Sequence, residues 1–284
     1  MGFDLHNARV LVTGAGSGLG RACAVALARR GARLAVTDLR AESAEETAAL
    51  LRSKGAEALA RTLDVTSETS FVEAVAAVEA AWEGVDVLIN NAGVATAGTV
   101  EDSPLKQWQW VFDINLLGCV RGARAVIPGM RARGRGHIVN VASFAGIANP
   151  PAMASYNAAK AAVISLSETL RFELFPTVGV SVACPSFFKT DLVNSSRGQL
   201  AQSEQASAPQ MMKIVERMMD RASVTAEDVA EDIVDAIATS QFLVMPHADA
   251  RALARLKRLS PELYFRKAQK ATAGFLVRRN HNEP

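Results

Sequence analysis

The chain has 284 residues, 49% of them apolar and 21% charged, with a formal net charge of +2. That is enough chain for a sizeable hydrophobic core, in one large α/β domain or two small ones. The near-neutral balance excludes a global electrostatic pull toward nucleic acid or acidic substrates.

Short β-branched runs alternate with longer helical patterns. Residues 9–12 predict a strand, and the alanine-rich stretch 20–30 a helix ended by Gly31, a C-cap residue. Strand 33–37, helix 41–53, strand 58–63 and helix 69–82 follow, then a fully apolar strand at 85–89. The spacing predicts one long helix over 105–130, a strand at 137–141, and a helix over 152–175 that stops at Pro176. After a strand at 178–183, Thr225-x-x-Asp228 opens a helix over 225–238 close to a capping box, and 241–245 is the seventh strand. Continuous apolar strands are buried on both faces, and the helices between them serve as crossovers. The expected fold class is α/β, a Rossmann-type doubly wound parallel sheet of seven strands in a single domain, 1–248.

Cys23, Cys119 and Cys184 are far apart, the four histidines are scattered, and no Cys/His cluster appears. The pattern argues against a disulfide framework or a metal site and for a reducing, cytoplasmic setting. The first eight residues carry Asp4 and no apolar run, so no export signal is expected. No stretch approaches the roughly 18 apolar residues of a membrane span.

Between the first strand and helix lies Thr13-Gly-Ala-Gly-Ser-Gly-Leu-Gly20. Glycines here permit positive φ, close approach of backbone N–H groups to a pyrophosphate, and tight helix–strand packing. The helix N-terminus behind them favours phosphate charge. Asp38 ends the second strand, 18 residues beyond Gly20. A carboxylate there can accept from both adenosine ribose hydroxyls and repels a 2′-phosphate, which favours NAD over NADP. A helix N-cap for residues 41–53 is its plainer role, and the two can coexist. Arg40 could meet a phosphate, but the loop carries Ser17 where an NADP-preferring loop often has a basic residue.

Tyr156 and Lys160 stand four apart at the start of a strongly helical segment, so phenol and ammonium share a face. A nearby ammonium and a positive nicotinamide ring favour phenolate and are expected to bring the tyrosine pKa down. Such a group can take or return a hydroxyl proton. Ser143 follows the fifth strand, thirteen residues before Tyr156, at the carboxyl edge where ligands bind in such sheets. Its hydroxyl could bond a substrate oxygen, or it is an ordinary turn residue. Asn115 sits among Ile114, Leu116 and Leu117, either a satisfied core amide or a functional one.

Together with Asn90-Asn91-Ala92-Gly93 after the fourth strand, these residues resemble the short-chain dehydrogenase/reductase family in its single-domain form, over about residues 6–247. The resemblance implies Tyr156 as general acid/base and Ser143 as donor to the substrate oxygen. It implies Lys160 on the nicotinamide ribose and Asn115 holding a water that links the lysine to solvent. Cofactor contacts are implied at Gly14, Ser17, Gly18, Leu19, Gly20, Asp38, at Asp64 and Val65 flanking the adenine, and at Asn91, Ala92 and Gly93. Pro185, Phe188 and Thr190 belong to a loop that resembles the clasp on the nicotinamide carboxamide. The family usually has glycine after that proline, and Ser186 stands there, which puts the loop geometry in question. A homodimer or homotetramer is implied, with segments 105–130 and 152–175 at the interface.

A lid is expected over 191–223, with Met211, Ile214, Val215, Met218 and Met219 at helical spacing. Phe144, Met153, Phe187, Phe188 and Leu192 are expected near the reaction centre, and no arginine or lysine is placed to claim a carboxylate. The expected reaction is NAD-dependent hydride transfer to or from a bulky, mostly apolar secondary alcohol or ketone. An idle NAD-binding scaffold, or a reductase of activated C=C or imine groups, is the alternative. Residues 249–284 form a basic helical extension with nine Lys or Arg against three Asp or Glu. It is solvated, packs between subunits, or rests on an anionic membrane surface.

Overall fold

The computed structural model describes residues 2–188, 217 and 222–277. Seven strands build one sheet: β1 (Arg9–Thr13), β2 (Arg33–Asp38), β3 (Ala58–Thr62), β4 (Val87–Asn90), β5 (Gly136–Val141), β6 (Val178–Ala183) and β7 (Leu243–Val244). Every pairing is parallel, in the order β3-β2-β1-β4-β5-β6-β7. The chain builds outward from β1 to β3, then returns to lay β4 on the other side of β1. That reversal opens a crevice beyond the carboxyl ends of β1 and β4, the usual ligand position in such sheets.

Burial follows strand alternation. In β1, Val10 and Val12 face a core shared with α1 (Gly18–Arg29), α2 (Ala41–Ser53) and α8 (Ala226–Thr239), while Leu11 faces the opposite core. That second core is closed by Phe71 and Val78 of α3 (Glu68–Trp82), Val126 and Met130 of α5 (Gly118–Arg133), and Leu170 of α7 (Ala154–Glu173). All three β1 side chains are fully buried, each contributing roughly 1.5–3 kcal/mol relative to exposure. The expected capping box is present: Asp228 N–H donates to Thr225 Oγ1 at 3.1 Å, and Asp228 Oδ2 accepts from Thr225 N–H at 2.9 Å.

The structure revises several boundaries. Helix α1 starts two residues earlier, at Gly18, and β4 runs Val87–Asn90. The single helix expected over 105–130 is divided into α4 (Leu105–Phe112), a π turn (Asp113–Leu117) and α5, with Pro128 inside the last. A short helix α6 (Ala145–Ala148) follows β5 and has no counterpart in the sequence reading. Beyond β7 lie α9 (Ala248–Leu259) and α10 (Pro261–Val277). No helix among the described residues is long and apolar enough to cross a membrane. The expected lid over 191–223 and the contact expected at Thr190 and Leu192 lie outside the described residues, apart from Arg217, Ala222 and Ser223.

Candidate active site

The glycine loop is shaped by close contacts. Gly14 and Gly18 take positive φ, +62° and +51°. A Cβ on Gly14 would stand 2.9 Å from Ala92 Cα, and one on Gly20 only 2.2 Å from the Gly14 carbonyl oxygen. Both approaches are impossible for a side chain, so these two glycines are required by packing. Ser17 is the N-cap of α1 in extended backbone and makes no side-chain capping bond, while Leu19 is buried in the core below.

Asp38 ties this loop to the end of β2. Its Oδ2 accepts from Gly16 N–H at 3.0 Å and its Oδ1 from Arg40 N–H at 3.1 Å. The N-cap position of α2 is Arg40, without a side-chain bond, so capping by Asp38 is not what the structure has. On the other side of the crevice, Asn91 Nδ2 donates to the Thr13 and Gly14 carbonyls at 2.9 and 3.1 Å. Asn91 and Ala92 N–H both donate to Thr13 Oγ1 at 3.0 Å. Asp64 Oδ1 accepts from Thr66 N–H and Oγ1, a turn that leads into α3. Val65 gives its carbonyl to Arg121 at 3.1 Å and packs under Gly118. The loops after β1, β2, β3 and β4 therefore stand side by side. The loop glycines, the α1 N-terminus behind them and a fixed carboxylate have the chemistry that fits a dinucleotide.

The second half of the site converges from β4, β5, the π turn and α7. Lys160 is buried, and its Nζ donates to the Val141 carbonyl at 2.8 Å. The same ammonium is 5.8 Å from the Tyr156 ring centroid. Tyr156 is buried beside Ser143, whose Oγ accepts from Ala145 N–H at 3.1 Å. Burial pushes the Tyr156 phenol above its ordinary value, and the neighbouring Ser143 hydroxyl opposes this. Burial likewise pushes Lys160 below its ordinary value, against the neighbouring Cys119 and Cys184 thiols. The downward tyrosine shift expected from the lysine is thus not the balance among the protein's own groups: the loss of hydration wins for both.

Asn115 is fully buried with its amide satisfied, Oδ1 accepting from Val94 N–H at 2.8 Å and Nδ2 donating to Val94 O at 2.9 Å. Of the two readings of this residue, its side chain makes the satisfied amide, and in doing so it pins the strand-to-loop segment after β4. A Cβ on Gly93 would lie 3.0 Å from Asn115 Oδ1 and 3.5 Å from Lys160 Nζ, so these three residues meet at one point. Thr96 and Ser155 hydroxyls, 2.9 Å apart, stitch the same loop to the residue before Tyr156. The loop after β6 is anchored by the Pro185 carbonyl, which accepts from Phe144 N–H at 2.8 Å. Phe188 is buried in the core beside α1.

Three residues absent from the sequence reading also bear on this site: His247, Lys257 and Tyr264, whose hydrogen bonds reach the loops after β6 and β5. Lone polar residues beyond the last strand carry no sequence signal of such contacts. Lys257 and Tyr264 belong to the basic extension, whose two helices thus touch the turn after β5 of their own chain. Among the described residues no group of three or more His, Cys, Asp or Glu is placed to hold a metal ion.

Comparison with known proteins agrees with this geometry. The family model for short chain dehydrogenases matches residues 8–201. A CLA biosynthesis dehydrogenase/reductase of Lactiplantibacillus plantarum is 30% identical over 269 residues, covering 90% of this chain and 94% of its own. A cyclopentanol dehydrogenase of a Comamonas species is 33% identical over 236 residues, 80% of this chain and 94% of its own. The crystal structure of a short chain dehydrogenase/reductase from Burkholderia phymatum in complex with NAD has a TM-score of 0.87 at 34% identity, covering 92% of this chain and 96% of that one. The chain belongs to the short-chain dehydrogenase/reductase family of oxidoreductases.

Proposed function

We propose that the protein is an NAD(H)-dependent oxidoreductase acting on a secondary alcohol or its ketone, with Tyr156 as general acid/base. The observation that carries this reading is buried Tyr156 beside half-buried Ser143, with buried Lys160 fixed next to it, at the carboxyl edge of the sheet and next to the crevice. The bound nicotinamide supplies hydride acceptance in one direction and donation in the other. Ser143 holds the substrate oxygen, and Tyr156 takes the hydroxyl proton at that oxygen or returns it. Lys160, held by the Val141 carbonyl, keeps a positive charge near the phenol and offers its remaining N–H groups to the ribose. Asn115 holds the Val94 segment against this centre.

Asp38 supports NAD over NADP, because its carboxylate stands where a 2′-phosphate would bring like charge. Gly14, Gly18, Gly20, Asn91, Ala92 and Gly93 would hold the dinucleotide chiefly through backbone. Asp64 and Val65 would flank the adenine, and Pro185 and Phe188 the nicotinamide. Buried Phe144, next to Ser143, and Met153, at the head of the helix that carries Tyr156, support a bulky, mostly apolar substrate, in keeping with the named substrate of the cyclopentanol dehydrogenase relative. Exposed Leu105, Leu117 and Phe172, on α4, the π turn and α7, support a homodimer or homotetramer packed through those helices. The three cysteines are free and buried, in keeping with a reducing cytoplasm. Absorbance at 340 nm with NAD⁺ and NADP⁺, across secondary alcohols graded in size and polarity, tests the reading. Turnover with NAD⁺ that rises with apolar bulk supports it, and faster turnover of small polyols or with NADP⁺ overturns it.

A further inference from the structure

The chain returns to the candidate site after β7. His247, buried at the head of α9, uses both ring nitrogens on one loop: Nδ1 accepts from Ser186 N–H at 3.2 Å, and Nε2 lies 3.0 Å from the Phe187 carbonyl oxygen. An amide N–H only donates and a carbonyl only accepts, so this arrangement fits the neutral ring with its proton on Nε2. Ten residues further, Lys257 Nζ donates to the Ile147 carbonyl, and the Tyr264 hydroxyl donates to the Ala148 carbonyl at 2.7 Å. Those two carbonyls close α6, the turn between Ser143 and Tyr156. One segment thus grips the turn after β5 and the loop after β6 together. Lys257 also lies 5.7 Å from the ring centroids of both Tyr264 and Phe265, which fixes α9 against α10.

We propose that His247 is a positioning residue for the nicotinamide half of the site. It sets the backbone of Pro185–Phe188, while Lys257 and Tyr264 anchor the helices that carry it. The inference rests on the reading that this loop meets the nicotinamide. The clamp falls on Ser186, the position where the sequence departs from the family's usual glycine, and it gives that N–H a defined partner. The two bonds make no contact with the adenosine side, where Asp38 and the glycine loop lie.

Calorimetric titration of the whole protein with NAD⁺ and with ADP-ribose, which lacks nicotinamide, tests this. The variants are His247→Phe, which keeps a ring and loses both bonds, His247→Asn, whose Oδ1 can stand in for Nδ1, and His247→Gln, which reaches the Nε2 position only. His247→Phe should weaken NAD⁺ about tenfold, as expected for two lost hydrogen bonds, with ADP-ribose unchanged within twofold. His247→Asn should recover most of the loss, and His247→Gln less. Equal effects on both ligands, or none on either, overturn the proposal. Should His247→Phe fail to fold, the polar pair decides: NAD⁺ binding that is no tighter in Asn than in Gln overturns it. Wild-type protein that binds NAD⁺ no more tightly than ADP-ribose overturns the nicotinamide-loop reading itself, whatever the variants do.

Discussion

Lys160 Nζ donates to the main-chain carbonyl of Val141 across 2.8 Å, so the ammonium is tied to the end of β5 rather than to the phenol beside it. Burial works on the two groups in opposite senses, lifting Tyr156 and lowering Lys160, and each change disfavours charge. The protein on its own therefore holds Tyr156 protonated. Replacing Tyr156 with Phe removes the proton donor and keeps the ring. kcat should fall about a thousandfold, within the range for loss of a general acid/base. NAD⁺ affinity by calorimetry should stay within about threefold. A near-normal rate in Tyr156→Phe would overturn the assignment.

Asp38 accepts from two backbone N–H groups, one in the glycine loop and one at the start of α2. Asp38→Ala releases both and removes the charge that excludes a 2′-phosphate. NAD⁺ affinity should drop about tenfold or more, since two bonds to an ionised acceptor are lost. The ratio of NADP⁺ to NAD⁺ affinity should rise. Parallel titrations with the two cofactors check this, and an unchanged ratio would remove Asp38 from the discrimination.

His137 lies near the amino end of β5, between β4 and β6. Ser181 Oγ donates to the Gln241 carbonyl at 2.6 Å, so at 2.8 Å it accepts from His137 Nε2–H, and the other ring nitrogen is buried without a partner among the described residues. Burial lowers the His137 pKa from 6.5 to about 4. Above pH 6.5 the ring is neutral folded and unfolded, and its full contribution is present. As pH falls from 6.5 toward 4, only the unfolded chain takes up the proton, and stability is lost. The loss between pH 7.5 and pH 5 is about 2 kcal/mol. Urea unfolding at the two pH values should show it, and His137→Leu should flatten the difference by about that amount.

Asp86 is buried at the amino end of β4 and accepts from Arg9 Nε at 2.7 Å and Nη2 at 2.6 Å, with Arg135 3.5 Å away. The bidentate contact holds the Asp86 carboxyl below its ordinary value despite its burial, and raises that of Arg9. Asp86→Ala leaves the arginines without their partner and should cost about 3–5 kcal/mol. The site is at the far end of the strands, so ADP-ribose affinity in the folded variant should be unchanged. Denaturant midpoints together with calorimetry test both halves.

The parts of the fold that could be read in advance are those written in local pattern. Val10–Val12 and the glycines that follow show strand, turn and helix within a dozen residues. Tyr156 and Lys160 share a helix face by spacing alone. What escaped depends on distant partners. The apolar run around Ile114 and Leu116 reads as ordinary helix, and the π turn answers to a bond between Asn115 and Val94, 21 residues away. Helix α6, four residues long, is too short for any periodicity to register. The contacts of His247, Lys257 and Tyr264 span 60, 110 and 116 residues, beyond any window of sequence. The upward push of burial on Tyr156 is not legible in advance, because charge proximity is visible in spacing and depth of burial is not.

The π turn at Asp113–Leu117 has a consequence for how the chain tolerates change. A regular helix advances about 100° per residue, and the wide turn accommodates one residue more than the regular repeat. Helix α4 packs on α7 and helix α5 on α3, so the two halves need different angular phases. Deleting one residue between Asp113 and Leu117 would restore the regular repeat and swing α5 by about a quarter turn or more, carrying Val126 and Met130 out of the core and Asn115 away from Val94. Substitutions there leave the phase intact. The segment forgives a changed letter far more readily than a changed count.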